Sequence, residues 1–151
     1  EAGVELSVAR SSPAFRRYLF SGRDEQVVVD LVFDPVPQID PEKPLIDGIR
    51  IDTLREIAVN KLCTLLERWE PRDLVDLMFI ERAGIDAMSL IEDARRKDGG
   101  LTPASLAYAL ATAPGIRLPA GLRMPVTERE LAAYRDDLVT RLTRAAVPRG
   151  S

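Results

Sequence analysis

The chain has 151 residues, 46% of them hydrophobic and 30% charged, with a formal net charge of −3. That balance suits one soluble domain, or a domain with a small appendage, and gives no global attraction to nucleic acid or anionic lipid. With no histidine and one cysteine, Cys63, Ser-His-Asp and Cys-His catalysis, histidine metal sites, intrachain disulfides and cysteine zinc clusters are excluded. Chemistry falls to carboxylates, lysine, arginine and backbone groups, and carboxylate oxygens suit a hard ion such as magnesium.

Val4 to Ala9 alternates apolar and polar residues, as a half-buried strand does. Phe15 to Phe20 is a second strand and the valine-rich run from Gln26 to Phe33 a third, with a turn at Gly22 making these two a hairpin. The prolines of "DPVPQIDPEKP" remove donors and fix φ, so this stretch is an extended loop. Gly48 to Asp52 forms one last short strand.

From here the pattern is helical. Thr53 and Glu56 have the spacing of a capping box and open a helix to about Trp69. Pro71 starts a second helix that runs to about Ala83 and stops at Gly84. A third runs from Asp86 to about Lys97. Thr102 and Pro103 open a fourth, and Thr127 with Glu130 opens a fifth that ends near Arg144. Strands precede helices, so the expected class is α+β: a partial mixed sheet over residues 1–52, then a helical bundle over residues 53–146. The closing "VPRGS", residues 147–151, resembles a thrombin-site remnant from an expression vector and is set aside as a tag. No apolar run reaches the roughly 18 residues of a membrane span, and no signal peptide is visible, so a cytoplasmic location is expected.

Charged residues break the apolar pattern in three elements. Lys61 falls within the stripe of the first helix formed by Leu54, Ile57, Ala58, Leu62, Leu65 and Trp69. Either its stem snorkels along apolar surface, or its amine points into a cleft and holds an anion such as a phosphate. The second helix is apolar all round except for Arg72, Asp73 and Asp76. Asp73 suits the positive end of the helix dipole; Asp76 pairs with Arg72 or Lys61, or both carboxylates serve a site. Asp30 interrupts the valines of the third strand. It is a solvent-exposed strand residue or a metal ligand at the sheet edge.

The stretch "DTLREIAVNKLCTLLERWEPRDLVDLMFI" resembles the core of the AbiEii/AbiGii-type nucleotidyltransferases, which include toxin components of abortive-infection and toxin–antitoxin systems. Glu56, Ile57, Asn60, Lys61, Leu62, Leu66, Arg68, Glu70, Arg72, Asp73, Asp76 and Leu77 match the family pattern. The resemblance covers about residues 2 to 100 well; the last helices are compatible with it and weakly diagnostic.

The resemblance implies a nucleotidyltransferase fold and transfer of a nucleotide from an NTP to an RNA or protein acceptor, with magnesium. It implies Lys61 and Arg72 as nucleotide-binding residues, Asp30 as a third carboxylate and metal ligand, and Asp73 or Asp76 as the later acid. It also implies an antitoxin partner; no membrane partner is expected, since no apolar run is long enough to span one. The family's glycine-rich GG or GS turn and its D-h-D carboxylate pair have no counterpart in this sequence, so the chain is expected to be the C-terminal two-thirds of such a protein. Without paired carboxylates and a glycine cradle it is expected to be inactive alone. An unpaired sheet edge would favour a homo-oligomer.

A second reading is a non-catalytic partner-binding or antitoxin-like module, with "TERELAAYRDDLVTRLTR" either as the docking helix or as an ordinary packed terminal helix. A third is nucleic-acid binding through local basic patches of Arg16, Arg17, Arg23, Arg95, Arg96 and Lys97, which no reader motif accompanies.

Overall fold

The computed structural model describes residues 3–147. Apart from Val147, the expected tag remnant lies outside them. The chain divides into two compact units, Glu1–Val36 and Pro37–Ser151.

The first unit is an antiparallel meander of β1 (Glu5–Ser12), β2 (Phe15–Ser21) and β3 (Gln26–Val32), in the order β1-β2-β3. The Gly22 amide donates to the Glu25 carbonyl at 2.8 Å and closes the β2–β3 turn. Phe20 sits opposite Leu6 and Val27, and Tyr18 opposite Val8 and Val29. These side chains, with that of Leu31, therefore share one face. Leu6, Val8, Val27 and Leu31 are each more than half exposed.

In the second unit, β4 (Leu45–Ile46) and β5 (Ile49–Arg50) form a small hairpin where a single strand was expected. Asp47 and Gly48 join them with φ of 51° and 80°, the positive values that a two-residue type I′ turn needs. Class α+β is as expected. Every described strand pairing is antiparallel, so the parallel pairings of a mixed sheet are not among the described residues.

The helices are α1 (Leu54–Glu67), α2 (Pro71–Arg82), α3 (Ile91–Lys97), α4 (Pro103–Thr112) and α5 (Glu128–Ala146), with a 3-10 turn at Ala87–Leu90 leading into α3. Gly84, at φ 100°, ends the α2 segment as the sequence predicts. Helix α1 packs against α2, α3 and α4, and α5 against α4 and α2. Their shared core includes Leu62, Leu65, Leu74, Leu77, Leu106 and Leu138.

Helix α5 turns Leu131, Leu138 and Leu142 into that core. Arg141 donates to both oxygens of Glu81 in α2, at 2.9 and 2.7 Å. It is thus a packed terminal helix. Its capping box is complete: the Glu130 amide donates to Thr127 Oγ1, and the Thr127 amide donates to the Glu130 carboxylate at 2.9 Å.

The α1 box is only half formed. Thr53 Oγ1 accepts from the Glu56 amide at 3.0 Å. The Glu56 side chain instead turns inward, fully buried, and accepts from the Ile39 and Asp40 amides at 2.8 and 2.9 Å. It also pairs with Lys97 of α3, whose side chain is 4% exposed. Lys97 is therefore an internal counterion and not part of a basic surface patch.

Candidate functional site

Helices α1 and α2 bring Lys61, Asp73 and Asp76 together. Lys61 and Asp73 interrupt the apolar faces along which the helices pack, and Asp73 and Asp76 share one edge of α2. The Lys61 ammonium donates to Asp73 Oδ1 at 2.6 Å and lies 2.7 Å from Asp76 Oδ2. Arg68, from the end of α1, approaches Asp73 Oδ2 at 3.7 Å. That oxygen is buried without a hydrogen-bond partner. The two acids differ in access: the Asp73 side chain is 7% exposed and that of Asp76 is 43%.

Burial of the Lys61 ammonium works to lower its pKa. The hydrogen bonds and charges of Asp73 and Asp76 outweigh burial, and the net displacement is upward. Lys61 is therefore a fixed cation and not a proton acceptor. Two cations and two carboxylates balance in this cluster, and two of the three ammonium donors of Lys61 are taken. Of the two roles open to Lys61 in the sequence, snorkelling or holding an external anion, the structure displays neither simply: the amine is held by internal acids.

Arg72 lies one helical turn before Asp76. It donates to the Ala120 carbonyl at 3.1 Å, tying α2 to the loop that precedes α5. Between them is a cleft of about 350 Å³ lined by Arg72, Val75, Asp76, Phe79, Leu122 and Arg123. The spacing of Arg72, Val75, Asp76 and Phe79 places them on one stripe of α2.

Asp30 stands in the first unit. Arg17, opposite it on β2, donates from Nε and Nη2 to its two carboxylate oxygens, each at 2.7 Å. The hydrogen bond from Arg17 leads the effects that hold the Asp30 carboxyl below the ordinary aspartate range. Asp30 is thus a cross-strand ion-pair partner.

Magnesium needs oxygen donors converging on one point. Among the described residues no group of three or more His, Cys, Asp or Glu is placed to hold a metal ion. The carboxylates of Asp30, Asp73 and Asp76 are all engaged by cations. The described residues therefore offer no convergent oxygen set that fits the ion.

Sequence reasoning did not single out the Glu56–Asn60–Lys97 cluster or Arg123. Ile91, Ala94 and Lys97 recur every three residues, a spacing that places Lys97 on the buried side of α3. Arg123, in a proline-flanked loop, carries no comparable periodic signal.

Among curated proteins and among solved structures, no match to the chain was found. No helix of the described residues is long and apolar enough to cross a membrane. The family model described as "Nucleotidyl transferase AbiEii toxin, Type IV TA system" matches residues 4–147. The match spans nearly the whole chain, including both helices that carry Lys61, Asp73 and Asp76, and the chain belongs to this family of nucleotidyltransferase toxins.

Proposed function

We propose that the chain supplies the acceptor-facing part of a nucleotidyltransferase site that takes an NTP and transfers its nucleotide to an RNA or protein acceptor. The observation that carries this reading is the Lys61 ammonium shared between buried Asp73 and more open Asp76 beside a cleft. In the transfer, an acceptor hydroxyl oxygen bonds to the α-phosphorus, the bond to the bridging oxygen breaks, and pyrophosphate leaves. Asp76, the more exposed acid, accepts the hydroxyl proton. Asp73 positions Lys61, and the fixed charge of Lys61 offsets negative charge as it develops. Arg72 serves the nucleotide. Asp30, closed by Arg17, has no part in proton transfer. The chain alone transfers no nucleotide, a reading supported by the lack of a convergent carboxylate set for magnesium among the described residues. An antitoxin is the expected partner of a toxin of this family, in the cytoplasm.

The test incubates labelled NTPs, magnesium and total RNA with this chain and, separately, with the full product of its gene. Label transfer by the full product, lost in Asp76→Asn and Lys61→Met and absent with the chain alone, is the expected result. Equal labelling by the full product and its Asp76→Asn variant would sink the assignment, and labelling by the chain alone would sink its proposed inactivity.

One observation favours a second reading, a non-catalytic binding module. Leu6, Val8, Val27 and Leu31 expose an apolar sheet face, and such faces mark interaction surfaces. The free edges of β1 and β3 within the described sheet also suit strand pairing between copies. Sedimentation equilibrium of the chain decides between a monomer and a homo-oligomer.

A further inference from the structure

We infer that the α2 cleft is a pocket for one phosphorylated nucleoside unit, with Arg72 and Arg123 as its phosphate contacts in place of Lys61. This rests on the transferase reading and names the ligand of that part of the site. Lys61 is held by two carboxylates, and its cluster is already neutral. A phosphate arriving there would find one ammonium donor of Lys61 open but no net positive charge to attract it.

The cleft beside it has the opposite balance. Arg72 and Arg123 line it against one acid, Asp76, so it carries a net positive charge. Among the described residues neither arginine is in a salt bridge. Arg72 spends one donor on the Ala120 carbonyl and keeps the rest of its five-donor fork. Guanidinium forks match the geometry of phosphate oxygens better than an ammonium does.

The remaining lining is apolar. Val75 and Phe79 come from α2, and Leu122 and Met124 from the facing loop. Gly121, at φ 75°, lets that loop turn where a side chain would be strained. Apolar walls with a few convergent charges are the usual makeup of a small-ligand site, and about 350 Å³ is near the small end of such sites. The volume suits one nucleotide: the base lies against Phe79 and Leu122, and the phosphate lies on the two guanidiniums. Asp76 lines this cleft and also contacts Lys61, so a ligand in the cleft lies next to the proposed acid.

The same chemistry is offered by a free NTP or by the terminal residue of an RNA strand, and calorimetric titration separates them. The chain is titrated with ATP, GTP, CTP and UTP singly, with a short single-stranded RNA, and with inorganic phosphate. Saturable binding of a nucleotide or of the RNA is expected, weakened about tenfold or more in Arg123→Gln and in Arg72→Gln, the lower end for a hydrogen bond to a charged group. Tighter binding of an NTP assigns the donor, and tighter binding of the RNA assigns the acceptor end. Because Arg72→Gln also releases the loop, Arg123→Gln, at an exposed position, is the decisive variant. Nucleotide binding unchanged in Arg123→Gln overturns the inference and leaves the transferase reading intact. Inorganic phosphate binding as tightly as any nucleotide overturns the nucleoside part. No saturable binding by the unaltered chain overturns the whole inference, and label transfer by the full gene product then shows whether the transferase reading survives it.

Discussion

Replacing Lys97 with methionine removes the counterion of a carboxylate that has no access to water. The Glu56 side chain is 0% exposed and that of Lys97 4%. Removing one partner of a buried pair costs about 3–5 kcal/mol, because the other charge stays behind. Glu56 keeps its two amide donors from Ile39 and Asp40, which places the loss near the lower bound, about 3 kcal/mol. In Glu56→Gln/Lys97→Met no charge is buried, and the glutamine oxygen still accepts from both amides. What remains is the Asn60 oxygen, which loses the donor it has at 2.7 Å, a cost of about 1 kcal/mol. The double variant is therefore more stable than the single one. Urea unfolding followed by far-UV circular dichroism reads both: with a slope of roughly 1–3 kcal/mol per molar, Lys97→Met lowers the midpoint by about 1–3 M.

Acid provides a second arm. Burial works to raise the Glu56 pKa, but the bonds from Lys97, Asp40 and Ile39 outweigh it, and the net displacement is downward. Stability from this group is complete above the unfolded value of about 4.3 and is lost as pH falls through the lower folded value. The double variant loses less stability over that acidic window than the native chain. A Lys97→Met chain within about 1 kcal/mol of native, or no more stable once Glu56→Gln is added, would refute the reasoning.

Lys61→Met leaves Asp73 buried with only Arg68 nearby at 3.7 Å and should cost about 2–3 kcal/mol. Asp76→Asn, at a side chain 43% exposed, should cost under about 1 kcal/mol, and the two urea midpoints separate them. The Cys63 thiol is pushed up to about 11, first by burial. A disulfide reagent at mild alkaline pH should therefore label it slowly in the native chain and fast in urea. Asp30→Asn removes an exposed cross-strand pair with Arg17 and should leave the helical unfolding midpoint unchanged; a clear drop would show that the pair supports more than its own sheet.

Much of the architecture was legible because local signals and tertiary structure agree. Proline at the first turn of α2, the glycine after it and the box at Thr127 each act within one turn, so spacing alone reports them. The Asp47-Gly48 pair is a strong hairpin signal, but from the sequence the last strand starts at Gly48 and nothing is assigned to Leu45 and Ile46. Glu56 shows where spacing stops informing. The same threonine–glutamate interval precedes α1 and α5, but only at α1 do Ile39, Asp40 and Lys97 offer donors that draw the carboxylate inward. Those donors lie 16 to 41 residues away, beyond any local pattern. For the candidate site, the sequence singled out Lys61, Asp73, Asp76 and Arg72, but the pairing of Lys61 with both acids depends on how α1 packs on α2.

Helix α1 holds both charge clusters, and this bears on how the cleft is built. Glu56 and Asn60 reach α3 through Lys97, and the next residue, Lys61, reaches α2 through Asp73 and Asp76. Leucine packing alone tolerates small slides between helices, since one apolar contact replaces another at little cost. A buried charge tolerates none: shifting α2 by one turn would strand Asp73 without its ammonium, at a cost of several kcal/mol. The pairs therefore fix register more than they add stability, and they fix it for the helix that carries Arg72, Asp76 and Phe79 into the cleft wall. A Lys61→Met/Asp73→Leu chain discriminates: if the pair sets register, this chain keeps its helices and stability but loses the sharp, dispersed side-chain spectrum of a single packed state. A native-like spectrum in that variant would show that leucine packing suffices.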